Sequence, residues 1–148
     1  MIALTMPLPP SSNHRLMPNG KKRLILSPKY RAWLNSAIAQ IRKQLPMDYQ
    51  PLSGRLYSIT SVTFPDRRKR DTDNPLKGVK DALTQAGVIE DDEQLTHDHI
   101  FKRLDKIDKD NPHVFVILYE ETDPEAELFR VLGARVDVVE EGYLKRWK

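Results

Sequence analysis

Residues 64–94 read FPDRRKRDTDNPLKGVKDALTQAGVIEDDEQ, and three signals in this stretch decide the architecture. Phe64 closes the run Leu56 to Phe64, rich in β-branched and aromatic residues (Tyr57, Ile59, Thr60, Val62, Thr63), which predicts a strand ended by Pro65-Asp66. Asn74-Pro75 joins a capping residue to a proline, whose missing N–H costs nothing at the first helical position. Leu76, Val79, Leu83 and Ala86 then recur at three and four before Gly87, so a helix is expected over about 75–86.

Working outward, Ser27-Pro28 repeats the cap-plus-proline signal. Tyr30, Trp33, Leu34, Ala37, Ile38, Ile41 and Leu45 follow it as one apolar stripe, which predicts a second helix with Tyr30 and Trp33 in the core. Ile2 to Met6 reads as a short strand stopped by Pro7, Pro9 and Pro10. Ser11 to Arg23 reads as an exposed, mobile loop with a turn at Asn19-Gly20. Leu95 to Leu104 suits a strand with a polar face, and the unbroken run HVFVILY at 113–119 suits a buried one. Glu125 to Leu132 is a weaker terminal helix. The expected fold is a compact α+β domain, two principal helices on a small mixed β-sheet, over residues 1–120, with a C-terminal extension over 121–148 whose role the sequence does not give.

The 148 residues contain no cysteine, which excludes disulfides, zinc thiolate sites and thiol nucleophiles and points to a reducing compartment. No stretch approaches the ~20 apolar residues of a membrane span. The N-terminus MIALTMPLPP lacks the cationic start and long apolar run of a signal peptide. A cytoplasmic protein without a membrane partner is the expectation. The formal charge of +3 hides an uneven distribution, +8 over residues 1–60, −3 over 61–120 and −2 over 121–148. A basic first part and an acid-rich middle suggest an anionic partner held in one region and chemistry in another.

The chemistry concentrates in the opening stretch. Arg67, Arg68, Lys69 and Arg70 run directly into Asp71 and Asp73, and residues two apart on an extended chain point to one side. Two carboxylates held close repel unless a cation neutralises them, and Mg²⁺ commonly takes a few carboxylates while substrate phosphate and water supply its other ligands. On spacing alone, a metal pair and a capped loop of solvated acids are equally good readings of Asp71 and Asp73. Glu90-Asp91-Asp92-Glu93 supplies a further carboxylate if the chain folds back. Lys77, four residues after Asp73 and four before Asp81, is on spacing alone a surface salt bridge to Asp81, with a phosphate contact as the alternative. Pro75 and Leu76 break a calcium EF-hand pattern, no Walker loop is present, and no serine sits in a nucleophile elbow. His97 and His99 lack a third ligand and read as surface residues. A basic tetrad against an acidic pair, beside a basic N-terminal region, favours a long polyanion, and nucleic acid is the leading candidate.

RRKRDTDN with Lys77, DAL at 81–83, Gly87 and DD at 91–92 closely resembles the RusA family of Holliday junction resolvases. PLPPSSNHR and SPKYRAWL are similar to the family's start, so the resemblance spans roughly residues 2–120. It implies a homodimeric, Mg²⁺-dependent endonuclease, with Mn²⁺ as the alternative ion, that cuts four-way junction DNA by paired symmetric nicks. It also implies that Asp71, Asp73 and Asp92 bind the metal, that Lys77 is catalytic beside them, that Asp91 assists, and that the loop bearing Asp92 returns to the acidic pair. Asn74 and Asp81 match as well and are assigned to capping and helix support. Arg67, Arg68, Lys69 and Arg70, with Arg15, Lys21, Lys22 and Arg23, are expected to grip backbone phosphates. The tail after residue 120 exceeds the family's usual length. Its acids would repel DNA, which places it away from the substrate or over the dimer. A less selective DNA nuclease and a catalytically silent junction-binding protein are the rival readings.

Overall fold

In a computed structural model, residues 1–20, 23–71 and 73–124 are described. The elements are β1 (Ile2–Pro7), β2 (Leu16–Pro18), β3 (Leu24–Leu26), α1 (Pro28–Gln44), β4 (Leu56–Phe64), α2 (Leu76–Ala86), β5 (Leu95–Ile107) and β6 (His113–Glu120), with short 3-10 turns at Ser12–His14 and Asp92–Gln94. The main sheet has the order β1-β6-β4-β5. β6 runs antiparallel to both β1 and β4, whereas β4 and β5 are parallel. Parallel neighbours need a crossover, and α2 supplies it between β4 and β5. The sheet is therefore mixed and the fold is α+β, as the sequence predicts.

Side chains alternate between the two faces of each strand. Leu4, Met6, Val62, Phe64, Val114, Val116 and Leu118 face the helices, where Tyr30, Leu34, Ala37 and Ile41 of α1 and Val79, Ala82, Leu83 and Ala86 of α2 complete the main core. Ala3, Ile59, Phe115, Ile117 and Tyr119 form a second buried cluster drawn, among the described residues, from strands alone. The central strand β6 feeds both clusters, which explains why HVFVILY shows no polar alternation.

Predicted and observed elements coincide for β4, and for α1 with its cap, where the Ser27 hydroxyl accepts from Tyr30 N–H at 3.2 Å. Two expectations are corrected. The segment read as a loop over 11–23 contains the β2 strand and leads into its partner β3, a small hairpin registered Leu16↔Leu26 and Pro18↔Leu24. Three-residue strands are too short to leave a sequence period, although Asn19-Gly20 marks the turn. At α2, Pro75 occupies the cap position and the helix starts at Leu76, without side-chain capping by Asn74. The suggested helix Glu125 to Leu132 and nearly all of the 121–148 extension lie outside the described residues. Among the described residues, no helix is long and apolar enough to cross a membrane.

Candidate active site

The connection from β4 to α2 carries most of the candidate residues, and its first turn is built by Asp66. Its carboxylate accepts Arg68 N–H at 2.9 Å and takes Arg70 at two points, Nη1 at 2.5 Å and Nη2 at 3.0 Å. The contact with Arg70 holds the Asp66 carboxyl down at about 2. The Arg70 guanidinium also lies 5.0 Å from the Phe64 ring centroid, and Lys102 Nζ donates to the Arg70 carbonyl. Arg70 is thus fixed to the loop, while Arg67, Arg68 and Lys69 are exposed. Asp66 was not among the sequence candidates. Its signal was the Pro65-Asp66 turn start, where an aspartate commonly bonds the backbone two residues on.

Asp71 and Asp73 follow, both exposed. Asp71 lines a cavity of about 270 Å³ together with Pro9, Pro10, Ser11, Lys69 and Asn74. The Asp73 carbonyl accepts Leu76 N–H at 2.9 Å, which turns the chain into α2. Asn74 does not cap the helix because its amide is committed elsewhere. Its oxygen accepts Ser12 N–H at 2.7 Å and its nitrogen donates to Ser11 Oγ at 3.2 Å. The residue assigned to capping therefore ties the N-terminal loop to the acidic connection.

Lys77 projects from the first turn of α2 along the helix, and its ammonium is shared. It lies 3.4 Å from Asp81 Oδ1 and 3.2 Å from Asp92 Oδ2. The loop after α2 folds back to Lys77, so its i+4 partner Asp81 and the more distant Asp92 meet around one nitrogen, and among the described residues the ion pairs of Lys77 do not include Asp73. The hydrogen bond to Asp92 raises the Lys77 pKa, with Asp81 adding to it, and the same bond lowers the Asp92 carboxyl. Asp81 does more than support the helix. Its Oδ2 accepts Tyr30 OH at 2.8 Å and Arg15 Nε at 3.0 Å, with Arg15 Nη2 at 2.9 Å. Burial and the bond to Asp81 push the Tyr30 phenol up to about 12. Tyr30 is in the core as expected, with a polar role at its tip that the apolar stripe did not reveal.

Gln94 is the other residue the sequence reading missed. Its side-chain oxygen accepts Glu90 N–H at 2.7 Å and Asp91 N–H at 3.0 Å, while its nitrogen donates to the carbonyls of Leu52 and Gly54. Asp91 in turn accepts Glu93 N–H at 2.9 Å. This is a capping box across Asp91-x-x-Gln94, a pattern visible in the sequence. It fixes the backbone that presents Asp92, and it gives Asp91 a capping task.

Among the described residues, no three acidic or histidine side chains come close enough to hold a metal ion. Asp92 meets Lys77 beside Asp81, one turn into α2, whereas Asp71 and Asp73 precede the helix. The donor chemistry nevertheless fits a hard cation: Asp71, Asp73 and Asp92 offer only carboxylate oxygens, the ligand type of Mg²⁺ and Mn²⁺. Of the expected phosphate grips, Arg15 has its guanidinium on Asp81 and over the Tyr30 ring at 5.6 Å from the centroid. Arg23 is exposed, and Lys21 and Lys22 lie outside the described residues.

A model of the endodeoxyribonuclease RusA family matches residues 7–119. The chain is similar to a crossover junction endodeoxyribonuclease RusA of Aquifex aeolicus (strain VF5), 33% identical over 97 residues, which covers 66% of this chain and 75% of that protein. It is similar to the crossover junction endodeoxyribonuclease rusA of Enterobacteria phage HK97, 41% identical over 92 residues, covering 61% and 72% of the two chains. The crossover junction endodeoxyribonuclease RusA of Escherichia coli (strain K12) is 34% identical over 103 residues, 68% of this chain and 81% of that one.

Proposed function

The chain belongs to the RusA family of endodeoxyribonucleases, and from that premise we propose that it resolves four-way DNA junctions as a homodimer, by paired symmetric nicks that require Mg²⁺. Two active sites related by a two-fold axis would match the two-fold symmetry of a four-way junction. The observation that carries the reading is the contact of Lys77 with Asp92. It puts a cation from the first turn of α2 beside a carboxylate from the turn that follows the helix.

Asp71, Asp73 and Asp92 would hold the ion. When bound, a divalent cation neutralises phosphate charge and makes a bound water more acidic. The chain's own residues do the remaining work. Arg67, Arg68 and Lys69, exposed on the connection, bind backbone phosphates and carry no base information. Lys77 places an ammonium where charge develops on a phosphate oxygen. Asp66 fixes Arg70, Gln94 fixes the loop that presents Asp92, and Asn74 fixes the N-terminal loop against the acidic connection.

The test is nicking of a synthetic four-way junction in Mg²⁺, in EDTA, and by Asp73→Asn. Nicking is expected only for the unsubstituted chain with the ion, and activity that survives either change overturns the metal set. Equal cleavage of junction, flap and linear duplex would favour the less selective nuclease. Sedimentation of the free protein checks the dimer.

A further inference from the structure

We infer that Lys77 is the internal counter-ion of Asp92 in the cation-free protein, and that Asp81 is the positioning residue that retains Lys77 once a divalent ion takes Asp92. This rests on the proposed metal role of Asp92. Along one path the charges alternate: Arg15, Asp81, Lys77, Asp92, with contacts of 2.9 Å, 3.4 Å and 3.2 Å between successive members. The four formal charges cancel.

The two carboxylates that share Lys77 differ in how firmly they are held. The Asp81 side chain is 12% exposed and is tied by Arg15 from the N-terminal loop and Tyr30 from α1, besides Lys77 from α2. The Asp92 side chain is 39% exposed and open to solvent. An ammonium and a divalent cation at one carboxylate repel each other at short range, so the ion's arrival must loosen the contact of Lys77 with Asp92. Without Asp81, a displaced lysine would swing into solvent. With Asp81, Lys77 stays within reach of its i+4 partner and remains beside the site with its charge unspent. Asp81 touches neither substrate nor ion in this scheme and acts through Lys77.

Calorimetric titration of the full-length chain with Mn²⁺, without DNA, tests this through a double-mutant cycle. Lys77→Met is expected to bind the ion more tightly and Asp81→Asn more weakly, each by about two- to five-fold, the range of one exposed ion pair. In the Lys77→Met background, Asp81→Asn should change nothing. A simple field effect of the Asp81 charge would weaken binding equally in both backgrounds, and that result overturns the positioning role. Asp92→Asn separates the two levels. If it binds as the unsubstituted chain does, the assignment of Asp92 as a ligand fails. If it abolishes binding while the cycle is additive, only the role of Asp81 fails. A measurement without substitution at Asp81 guards against a folding defect: NMR of the Lys77 side chain during Mg²⁺ titration. Its resonance should shift with the calorimetric affinity, and a Lys77 signal indifferent to a bound ion overturns the inference.

Discussion

Gly78 is a position where an ordinarily stabilising substitution should do harm. It lies inside α2, buried, with no unusual backbone angle to require glycine. Replacing an unobstructed helical glycine by alanine stabilises by about 1 kcal/mol. Here a Cβ would stand 2.8 Å from Pro9 Cβ, 3.1 Å from Pro9 Cγ and 3.2 Å from Trp33 Cη2, against the ~3.5–4.0 Å of normal carbon contacts. Neither neighbour yields readily. Pro9 is buried between Leu8 and Pro10 with its own φ fixed by the ring, and the Trp33 indole is held by its Nε1 donating to the Pro7 carbonyl at 3.0 Å. Overpacking of this kind costs about 1–3 kcal/mol. Gly78→Ala should therefore lower stability by up to about 2 kcal/mol, near 4 °C in Tm per kcal/mol at this chain length. Urea unfolding with a parallel thermal scan measures it. Because Pro9, Pro10 and Ser11 line the cavity with Asp71, junction nicking well below Tm should fall as well. A variant that gains the full propensity term refutes the claim that α2 and the N-terminal loop meet without room for a methyl group.

Tyr30→Phe removes the donor to Asp81 and should cost about 1–2 kcal/mol in urea unfolding at neutral pH. Because the folded phenol is raised to about 12 from 10.0, this contribution is fully present below pH 10.0 and is lost as pH rises through about 12, which an absorbance-monitored alkaline unfolding series checks. Asp66 has the opposite sign: its carboxyl, lowered from 3.8 to about 2, contributes stability above pH 3.8 that disappears as pH falls through about 2. The difference in unfolding midpoint between the unsubstituted chain and Asp66→Asn should accordingly be flat above about pH 5 and shrink below 3.8. For DNA binding, Arg67→Ala and Lys69→Ala should each reduce the slope of log affinity against log salt by about 0.9. Arg15→Ala, whose guanidinium is committed to Asp81, should lower Tm and leave that slope unchanged, as a filter-binding salt series would show.

The elements that were legible in the sequence share one property: their signals are local and repeated. Ser27-Pro28 with its apolar stripe gives α1, and Leu56 to Phe64 gives β4, because capping and burial act on neighbours along the chain. The fit is looser where a local signal meets a distant partner. Asn74 carries every mark of a cap, yet Ser11 and Ser12, more than sixty residues upstream, take its amide. β5 continues past the predicted Leu104 to Ile107, across a shift in register with β4 between Val62 and Phe64. β2 and β3 are too short to show a period and exist only because they pair.

The candidate residues divide in the same way. Residue types and spacings by themselves determined that carboxylates, lysine and a basic run would lie near the start of one helix, since four residues along a helix is a contact whatever the rest of the molecule does. The family resemblance added a return of the Asp92 loop to the acidic pair, and the structure brings that loop to Lys77. Only the tertiary structure decided how the charges are shared: Arg15 to Asp81 rather than to solvent, Tyr30 from the core to the same carboxylate, Lys77 between Asp81 and Asp92, and Arg70 to Asp66. Those pairings depend on which elements the sheet and the two helices bring within about 3 Å. A sequence lists the charges in order, whereas their energies depend on distance and burial, and the fold sets both.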